Sequence, residues 1–360
     1  MIRARLRKVY PPRPDSAEFA LDLEFSAAAG VTVLFGPSGS GKTLTLDSIA
    51  GFVRPDEGRI LLDDEILFDG AAGVHLPPQA RHCGYVFQNY ALFPNMTLRQ
   101  NLEFAAERRP RLERHRRVNE MLDRFRLTEA AGRRPHEVSG GQRQRCSIAR
   151  ALIVAPKVLL LDEPAQGLDA PLREELYEVL RQVRADFQTP MLLVTHDLDE
   201  CFELGEEMLI LREGKIVQTG PPRKILDQPS NLDVARLLGA FNLLPAEIRA
   251  LDPGRNTSRV QMGEFELEGP YLPGHFKGDR VTVCVRPEQL GVSTRNGRPG
   301  PNQIPAELKR AVEKPHLVRM EFAVGAAGSV QVDLPLAEYE RLRENKEWVI
   351  HFPAASLRVL

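Results

Sequence analysis

The sequence predicts an α/β fold for roughly the first two thirds of the chain and a smaller, mostly β domain after it. Helix and strand patterns alternate up to about residue 220, which is typical of a layered α/β core. After about Asn242 the pattern changes to short strands broken by Gly and Pro. A chain of 360 residues is also long enough for about two domains.

Three predicted strands open the chain and lead into a glycine-rich loop. They are Ile2–Val9, Phe19–Phe25 with alternating apolar positions, and Val31–Phe35. A helix is predicted to begin at Leu44. The loop between the third strand and this helix consists of Gly36, Pro37, Ser38, Gly39, Ser40, Gly41, Lys42 and Thr43.

This loop fills all four anchor positions of the G-x-x-x-x-G-K-[ST] pattern, between a strand and a helix as the pattern requires. Glycine lets the backbone approach a polyphosphate closely, and the following helix offers free N–H groups and the positive end of its dipole. Lys42 is expected to reach the β and γ phosphates, and the Thr43 hydroxyl to bind Mg²⁺. An ordinary Gly-rich turn is the alternative. The complete pattern favours a nucleoside triphosphate site.

Two acidic residues follow a second apolar run, Val158–Leu161. Such a run suits a strand buried on both faces of a parallel sheet, and ligands of α/β proteins bind at the carboxyl ends of these strands. Asp162 is predicted to hold Mg²⁺, directly or through water. Glu163 is predicted to orient and polarise the attacking water. The motif alone is weak, but the phosphate-binding loop upstream strengthens it.

A histidine ends another apparent strand, Met191–Thr195. His196 is predicted to hydrogen-bond the γ-phosphate or the attacking water, and so to sense whether that phosphate is present. A lone histidine at a strand end is usually structural. Here it is the third polar site at the end of a predicted strand, which favours a functional role.

The stretch from Asn89 to Glu137 is charge-rich and is interpreted as a helical insertion. Its cluster of arginines is interpreted as a solvated helix face rather than a binding patch. After it, Ser139 precedes a predicted helix, Arg143–Ala151, which it can cap so that the helix N-terminus can receive an anion. Gln88 stands just before the insertion, after a strand-like segment.

The order of these features resembles that of the ATP-binding cassette (ABC) ATPases over about residues 1–235. The features are the phosphate loop (Walker A), Gln88, Ser139-Gly140-Gly141-Gln142, the strand ending in Asp162 and Glu163 (Walker B), Gly167-Leu168-Asp169, and His196. No other phosphate-loop class combines the S-G-G-Q signature with these neighbours. The resemblance implies a phosphate-loop ABC ATPase core with a helical subdomain at about residues 89–150.

In this family two subunits sandwich two ATP molecules head to tail. The resemblance implies that the phosphate loop of one copy faces the signature residues of the other, Ser139, Gly140, Gly141 and Gln142, across a shared ATP. Asp169 would lie at the dimer seam. Gln88 would bind Mg²⁺, take part in catalysis and couple the site to the helical subdomain, which in transporters docks the membrane subunits. Hydrolysis would remove the γ-phosphate bridge and let the copies part.

Some positions depart from the family pattern. The aromatic that stacks on adenine is assigned to Tyr10, with Phe19 as the alternative, because the segment between them blurs the alignment. Val138 stands where Leu is usual, and the loop from Ala165 to Asp169 reads A-Q-G-L-D where S-A-L-D is commoner. None of these changes removes a group that needs a proton or a charge, so ATPase activity is expected.

Residues 242–360 resemble the small oligomer-binding-like β-barrel domain appended to importer ATPases, on the basis of the V-R-P-E segment Val285–Glu288. The domain is interpreted as a dimerisation platform or a regulatory site, with both alternatives open. The segments 66–78 and 84–88 look most like molybdate-type ATPases. Sulfate or thiosulfate, ferric iron and sugar importers use close relatives of the same subunit.

Composition narrows the function classes. A formal net charge of −1 provides no basic field for nucleic acid, and four separated cysteines favour neither a disulfide framework nor a zinc site. The sequence lacks a signal peptide pattern and any run of ~18 apolar residues. Together with these observations, the resemblance to importer ATPases implies a peripheral protein at the cytoplasmic face of the plasma (inner) membrane. Its expected partners are a second copy, integral membrane permease subunits and, indirectly, a periplasmic or extracellular solute-binding protein. A non-transport ABC ATPase and a non-hydrolysing sensor are the less favoured alternatives.

Overall fold

The computed structural model describes residues 1–12, 17–187, 189–294, 300–325, 328–344 and 347–360. The chain forms two compact units, Met1–Gln228 and Pro229–Leu360. Within the described residues, no helix is long and apolar enough to cross a bilayer. The assignment of separate functions to residues 1–235 and 242–360 stays a prediction.

The first unit alternates strands and helices, as predicted. Its strands are β1 (Ile2–Tyr10), β2 (Phe19–Ala27), β3 (Val31–Phe35), β4 (Glu57–Leu62), β5 (Glu65–Asp69), β6 (Val74–His75), β7 (Cys83–Val86), β8 (Val158–Asp162), β9 (Met191–Thr195), β10 (Glu207–Arg212) and β11 (Lys215–Gly220). Its helices are α1 (Lys42–Ala50), α2 (Leu98–Ala105), α3 (Arg111–Arg124), α4 (Gly140–Leu152), α5 (Ala170–Phe187), α6 (Leu198–Leu204) and α7 (Pro222–Asp227).

Two sheets organise this unit. One has the strand order β11-β10-β3-β9-β8-β7, in which β10, β3, β9, β8 and β7 run parallel, and the other is antiparallel with the order β2-β1-β4-β5-β6. Every residue of β3, β8 and β9 is buried, which explains their continuous apolar runs. Apolar side chains of both sheets and of α1 share one core cluster.

The register of the parallel sheet brings the predicted site residues to one edge. Phe35 at the end of β3 is aligned with Thr195 at the end of β9, and Val194 is aligned with Asp162 at the end of β8. The phosphate loop, Glu163 and His196 therefore follow three neighbouring strands. The predicted strands Val31–Phe35 and Met191–Thr195 are confirmed to the residue.

The second unit is mostly β, as predicted. After α8 (Leu232–Leu238) it contains β12 (Asn242–Asp252), β13 (Thr257–Met262), β14 (Phe265–Pro270), β15 (Arg280–Val285), β16 (Gly291–Thr294), β17 (Gln303–Glu313), β18 (Leu317–Val324), β19 (Gly328–Pro335), α9 (Leu336–Leu342), β20 (Trp348–His351) and β21 (Arg358–Val359). The sheets have the orders β14-β13-β12-β15-β21 and β16-β20-β17-β18-β19, and both contribute to one core cluster.

Two details of this unit differ from the sequence prediction. The sequence pattern predicts one continuous strand over residues 260–268, and this prediction is wrong, because the chain turns at Gly263 (φ +59°) and pairs β13 with β14. The long strand β12 was not predicted. Pro245 within it argued against a strand, but the flanking residues Leu244 and Ala246 still pair with β15.

A fully buried arginine holds the C-terminal end of α1. Arg81 donates from Nη1 to the Ser48 and Ile49 carbonyls (2.8 and 2.9 Å) and from Nε to the Leu76 carbonyl (2.8 Å). Its Nη2 lies 2.9 Å from Nδ1 of His75, whose pKa is lowered by burial and by Arg81 itself, so that the neutral ring accepts. Helix α1 has no basic residue in its own last turn, so Arg81 supplies the cation that this end favours.

Replacing Arg81 by Met should lower the free energy of unfolding by about 3 kcal/mol, because buried carbonyls lose their donors. Urea unfolding of the full chain measures the change. The control is Arg3→Met, at an exposed position of β1. Equal midpoints for both variants would contradict the structural role of Arg81.

Candidate functional site

A polar cavity of about 580 Å³ lies at the carboxyl edge of the parallel sheet. Its walls bring together residues from the phosphate loop and from the ends of β7, β8 and β9. The lining residues are Phe19, Ser38, Gly39, Gly41, Lys42, Thr43, Leu44, Gln88, Glu163, Gln166 and His196. The structure thus places eight of the predicted site residues around one space.

The phosphate loop has a conformation that its glycines make possible. Gly39 and Gly41 have φ of +81° and +102°, and a Cβ on Gly41 would lie 2.5 Å from Leu21 Cδ1. A Cβ on Gly36 would lie 2.3 Å from the Leu211 carbonyl oxygen. The hydroxyl of Ser40 is buried without a hydrogen-bond partner among the described residues. An orphaned donor inside a tight loop at a helix N-terminus fits an anionic ligand.

Two backbone carbonyls of the phosphate loop hold the Lys42 side chain in place. Its side chain is buried, and Nζ donates to the carbonyls of Gly36 (2.7 Å) and Pro37 (3.0 Å). Burial lowers the pKa of Lys42, while the nearby carboxylates of Glu163 and Asp162 act in the opposite direction. An ammonium has three donors, so this group retains one for a phosphate oxygen.

Thr43 and Asp162 form the part of the site that fits a cation. The Thr43 hydroxyl donates to Asp162 Oδ1 at 3.0 Å, and this bond opposes the rise in the pKa of Asp162 that burial causes. The described residues contain no cluster of three His, Cys, Asp or Glu side chains that could enclose a metal. A hydroxyl and one carboxylate suit Mg²⁺, which usually completes its shell with water and substrate phosphates.

Glu163 and His196 form a close pair on the wall of the cavity. Nδ1 of His196 lies 3.3 Å from Oε2 of Glu163, whose side chain is 18% exposed. Glu163 has φ of +45°, a backbone conformation that non-glycine residues rarely adopt, and its N–H donates to the Val194 carbonyl. Strained backbone of this kind is common at functional sites. A carboxylate and an imidazole at this distance can hold a water molecule between them and a phosphate.

Gln166 is a site residue that the sequence reasoning did not select. It lies on the cavity wall, where its side-chain carbonyl accepts a hydrogen bond from Nε2 of Gln88. Because Nε2 of Gln88 is the donor, Oε1 of Gln88, the atom predicted to bind Mg²⁺, takes no part in this bond. The signal in the sequence was the departure from the usual serine at position 166.

Of the two aromatic candidates for adenine, Phe19 lines the cavity. Tyr10 is not among the described residues lining it, but it is the cross-strand partner of Phe19 in the β1–β2 pair. The Lys8 ammonium lies 5.7 Å from the centre of the Tyr10 ring. The assignment of the adenine contact to Tyr10 stays a prediction.

The signature residues stand apart from this cavity in a single copy. Ser139 caps α4: its hydroxyl accepts from Gln142 N at 3.2 Å, and Oε1 of Gln142 accepts from Ser139 N at 3.1 Å. The predicted cap is therefore confirmed. A Cβ on Gly141 would lie 2.8 Å from Leu172, so the signature packs against the start of α5, where Asp169 accepts from Leu172 N.

Comparison with known proteins assigns a family. The sequence model of the ABC transporter family matches residues 21–166. The molybdenum import ATP-binding protein ModC of Rhodospirillum rubrum is 40% identical over 306 residues, covering 85% of this chain and 78% of that protein. The spermidine/putrescine import ATP-binding protein PotA of Vibrio cholerae is 41% identical over 275 residues, covering 76% and 71%.

Solved structures agree with this assignment. The dimeric structure of MJ0796, a bacterial ABC transporter cassette, matches with a TM-score of 0.54 and 27% identity over 62% of this chain and 99% of that one. A dimeric post-hydrolysis state of the cassette, bound to ADP and Pi, matches with a TM-score of 0.53. The predicted fold class is confirmed.

Proposed function

Because the chain belongs to the ABC transporter family, we propose that it is the ATP-hydrolysing subunit of a membrane importer. We place it as a homodimer at the cytoplasmic face of the membrane, bound to permease subunits. The observation that carries the proposal is the convergence of the phosphate loop, Glu163 and His196 on one cavity, with Asp162 hydrogen-bonded to Thr43 of that loop. These residues supply a triphosphate cradle and a carboxylate–imidazole pair at the end where the γ-phosphate would lie.

Each residue has a distinct part in the proposed reaction. The N–H groups of the loop and Lys42 bind the β and γ phosphates and neutralise charge that develops on them. Thr43, Asp162 and the Gln88 amide oxygen would hold Mg²⁺, which would neutralise part of the negative charge of the triphosphate. Glu163 orients the attacking water. His196 fixes the Glu163 carboxylate and donates to the γ-phosphate.

A second copy completes the site. The capped N-terminus of α4, with Ser139, Gly140, Gly141 and Gln142, is suited to bind the γ-phosphate of an ATP held by the other copy. The dimeric cassette structures support this arrangement. Asp169 lies beside α4, so the loop that carries it would lie at the same interface between the two copies as the signature residues. Bound ATP then holds the two copies together, and loss of its γ-phosphate removes this contact between them.

Exposed aromatic residues offer a surface for the permease. Phe52, 52% exposed, contacts the stacked rings of Tyr85 and Phe87 just before Gln88. Phe93 and Phe104, in the helical insertion, are 38% and 50% exposed and pack edge to face. Exposed aromatic groups of this kind are typical of interaction sites, and they border the segment that links Gln88 to the insertion.

Phe52→Ser should reduce permease-stimulated ATP hydrolysis by about tenfold, because an aromatic anchor at a docking surface contributes roughly 1–2 kcal/mol. Hydrolysis by the isolated subunit should stay unchanged. The measurement compares ATPase rates with and without the reconstituted permease. Phe276→Ser, at a 74% exposed phenylalanine of the second unit, is the control. Equal stimulation of both variants would count against this docking surface.

For the solute, we propose molybdate or a similar oxyanion. The likeness to the molybdenum import proteins of two organisms, at 40% and 38% identity, supports it. A polyamine importer is the second candidate, because the spermidine/putrescine relatives are equally similar. Sulfate, iron and sugar import are less favoured by these relatives.

Uptake by vesicles that contain the subunit, its permease and the solute-binding protein tests the solute. Labelled molybdate should accumulate when ATP is inside, and unlabelled spermidine should not compete. Uptake of spermidine without molybdate would replace the first candidate by the second. ATP hydrolysis that is coupled to neither solute would refute both.

A further inference from the structure

A second, smaller cavity lies behind the Glu163–His196 pair. Its volume is about 140 Å³, and it shares Glu163, Gln166 and His196 with the wall of the nucleotide cavity. At about 30 Å³ per molecule it has room for about four waters, and its lining is polar enough to hold them. The cavity thus connects the place of the attacking water to the interior of the unit.

A buried glutamate lies on the wall of this cavity. Glu200, in α6, is 2% exposed, and within the described part of the chain its Oε1 atom has no hydrogen-bond partner. Buried polar atoms are nearly always satisfied, so an unpaired carboxyl oxygen beside a polar cavity indicates bound water. Within the described residues, no hydrogen bond joins it to Lys42, Thr43 or Asp162, and the proposed reaction does not use it.

Ionisable groups of α5, of the loops after β8 and β9, and of its own segment surround Glu200. They are Glu163 after β8, Arg173 and Tyr177 in α5, His196 after β9, and Asp197, Asp199 and Cys201 on its own segment. Arg173 donates from Nη1 to Asp197 Oδ2 (3.0 Å), while its buried Nε has no hydrogen-bond partner among the described residues. Burial raises the pKa of Glu200 to about 7; the Thr195 hydroxyl and Arg173 oppose this rise, and Asp197 and Glu163 add to it. The carboxyl group can therefore take up or release a proton near neutral pH.

We propose that Glu200 accepts the proton that the attacking water loses during ATP hydrolysis, through water held in the smaller cavity. The proposal rests on the assignment of the nucleotide cavity as the ATPase site. Glu200 acts through the intervening water and not on the substrate, so its role is that of a positioning residue for the departing proton.

The proposed step balances. The water oxygen forms a bond to the γ-phosphorus, and the bond from this phosphorus to the β–γ bridging oxygen breaks, with its electron pair leaving on ADP. One proton of the water stays on the phosphate. The other passes along the cavity water to the ionised Glu200 and returns to solvent when the products leave. Glu163 orients the water.

Glu200→Gln keeps the size and polarity of the side chain but removes the acceptor. We expect kcat to fall about tenfold at pH 8, with the KM for ATP and ATP-driven dimerisation unchanged. In the parent, kcat should fall as the pH drops through about 7, because Glu200 becomes protonated before the reaction. The glutamine variant should lose this part of the profile, and Glu200→Asp should regain it in part.

The matched control is Glu203→Gln, an exposed position on the same helix. Since both variants share the titration of ATP itself, the difference between their pH profiles isolates Glu200. A buried carboxyl with a raised folded pKa makes the fold less stable as the pH rises from 4.5 to about 7. The Glu200→Gln variant should therefore unfold at a higher urea concentration than the parent at pH 8, which shows that it is folded.

A kcat and pH profile of Glu200→Gln equal to those of Glu203→Gln would overturn the proposal. A profile that keeps its shape while kcat falls would overturn it as well, since it would indicate a purely structural effect. After either result, the assignment of the ATPase site still holds if Glu163→Gln abolishes turnover in the same assay. If Glu163→Gln also has no effect, the assignment of the site fails instead.

Discussion

Replacing Glu163 by Gln should slow ATP hydrolysis by about a thousandfold while ATP still binds. The amide keeps the shape of the side chain, but it cannot polarise the attacking water as the carboxylate does. The phosphate loop, Lys42 and the signature helix of a second copy are untouched by the change. ATP should therefore remain between the two copies, and the variant should accumulate as an ATP-bound dimer.

Single-turnover hydrolysis and size-exclusion chromatography with ATP, with ADP and without nucleotide measure these two effects. Glu178→Gln, at an exposed position of α5, is the matched control and should behave as the parent does. Turnover near the parent rate in Glu163→Gln would show that another group activates the water. Equal self-association in all three nucleotide states would refute the ATP-bridged dimer.

Replacing Lys42 by Ala should weaken ATP binding about 100-fold, because a buried ammonium no longer donates to the β and γ phosphates. The carbonyls of Gly36 and Pro37 also lose their shared donor, so the loop becomes less well ordered before the nucleotide arrives. Hydrolysis at a fixed ATP concentration should fall with the loss of occupancy. Nucleotide titration by calorimetry measures the dissociation constant.

The control for this measurement is Lys215→Ala, an exposed lysine at the start of β11. Removing a surface charge there should leave the affinity for ATP unchanged. An equal affinity of the Lys42→Ala variant and the control would mean that the loop does not bind the triphosphate in the way that its geometry indicates.

Much of the candidate site follows from the sequence because its determinants are local. A strand buried on both faces needs a continuous apolar run, and a loop that approaches a phosphate needs glycine. The strands β3, β8 and β9 and the phosphate loop can therefore be predicted from the local sequence. The cap by Ser139 depends only on residues three positions apart.

The features that were missed depend on contacts between distant parts of the chain. Gln166 becomes part of the site only because its loop meets Gln88, 78 positions away. Glu200 reads as an ordinary polar residue of a short helix, and its burial arises from the packing of α6 against the sheet and α5. The strand β12 was not predicted, because Pro245 within it has no N–H to donate to a neighbouring strand. Whether a strand tolerates a proline depends on whether a neighbouring strand needs that N–H as a donor.

The bond between Gln88 and Gln166 has a consequence for how the two copies sense each other. By accepting a hydrogen bond from Nε2 of Gln88, Gln166 leaves the Gln88 amide oxygen as the atom available to the proposed Mg²⁺. Gln166 belongs to the same loop as Asp169, the residue expected nearest the neighbouring copy. Any shift of that loop on contact with a second copy would therefore move the side chain that is proposed to hold Mg²⁺.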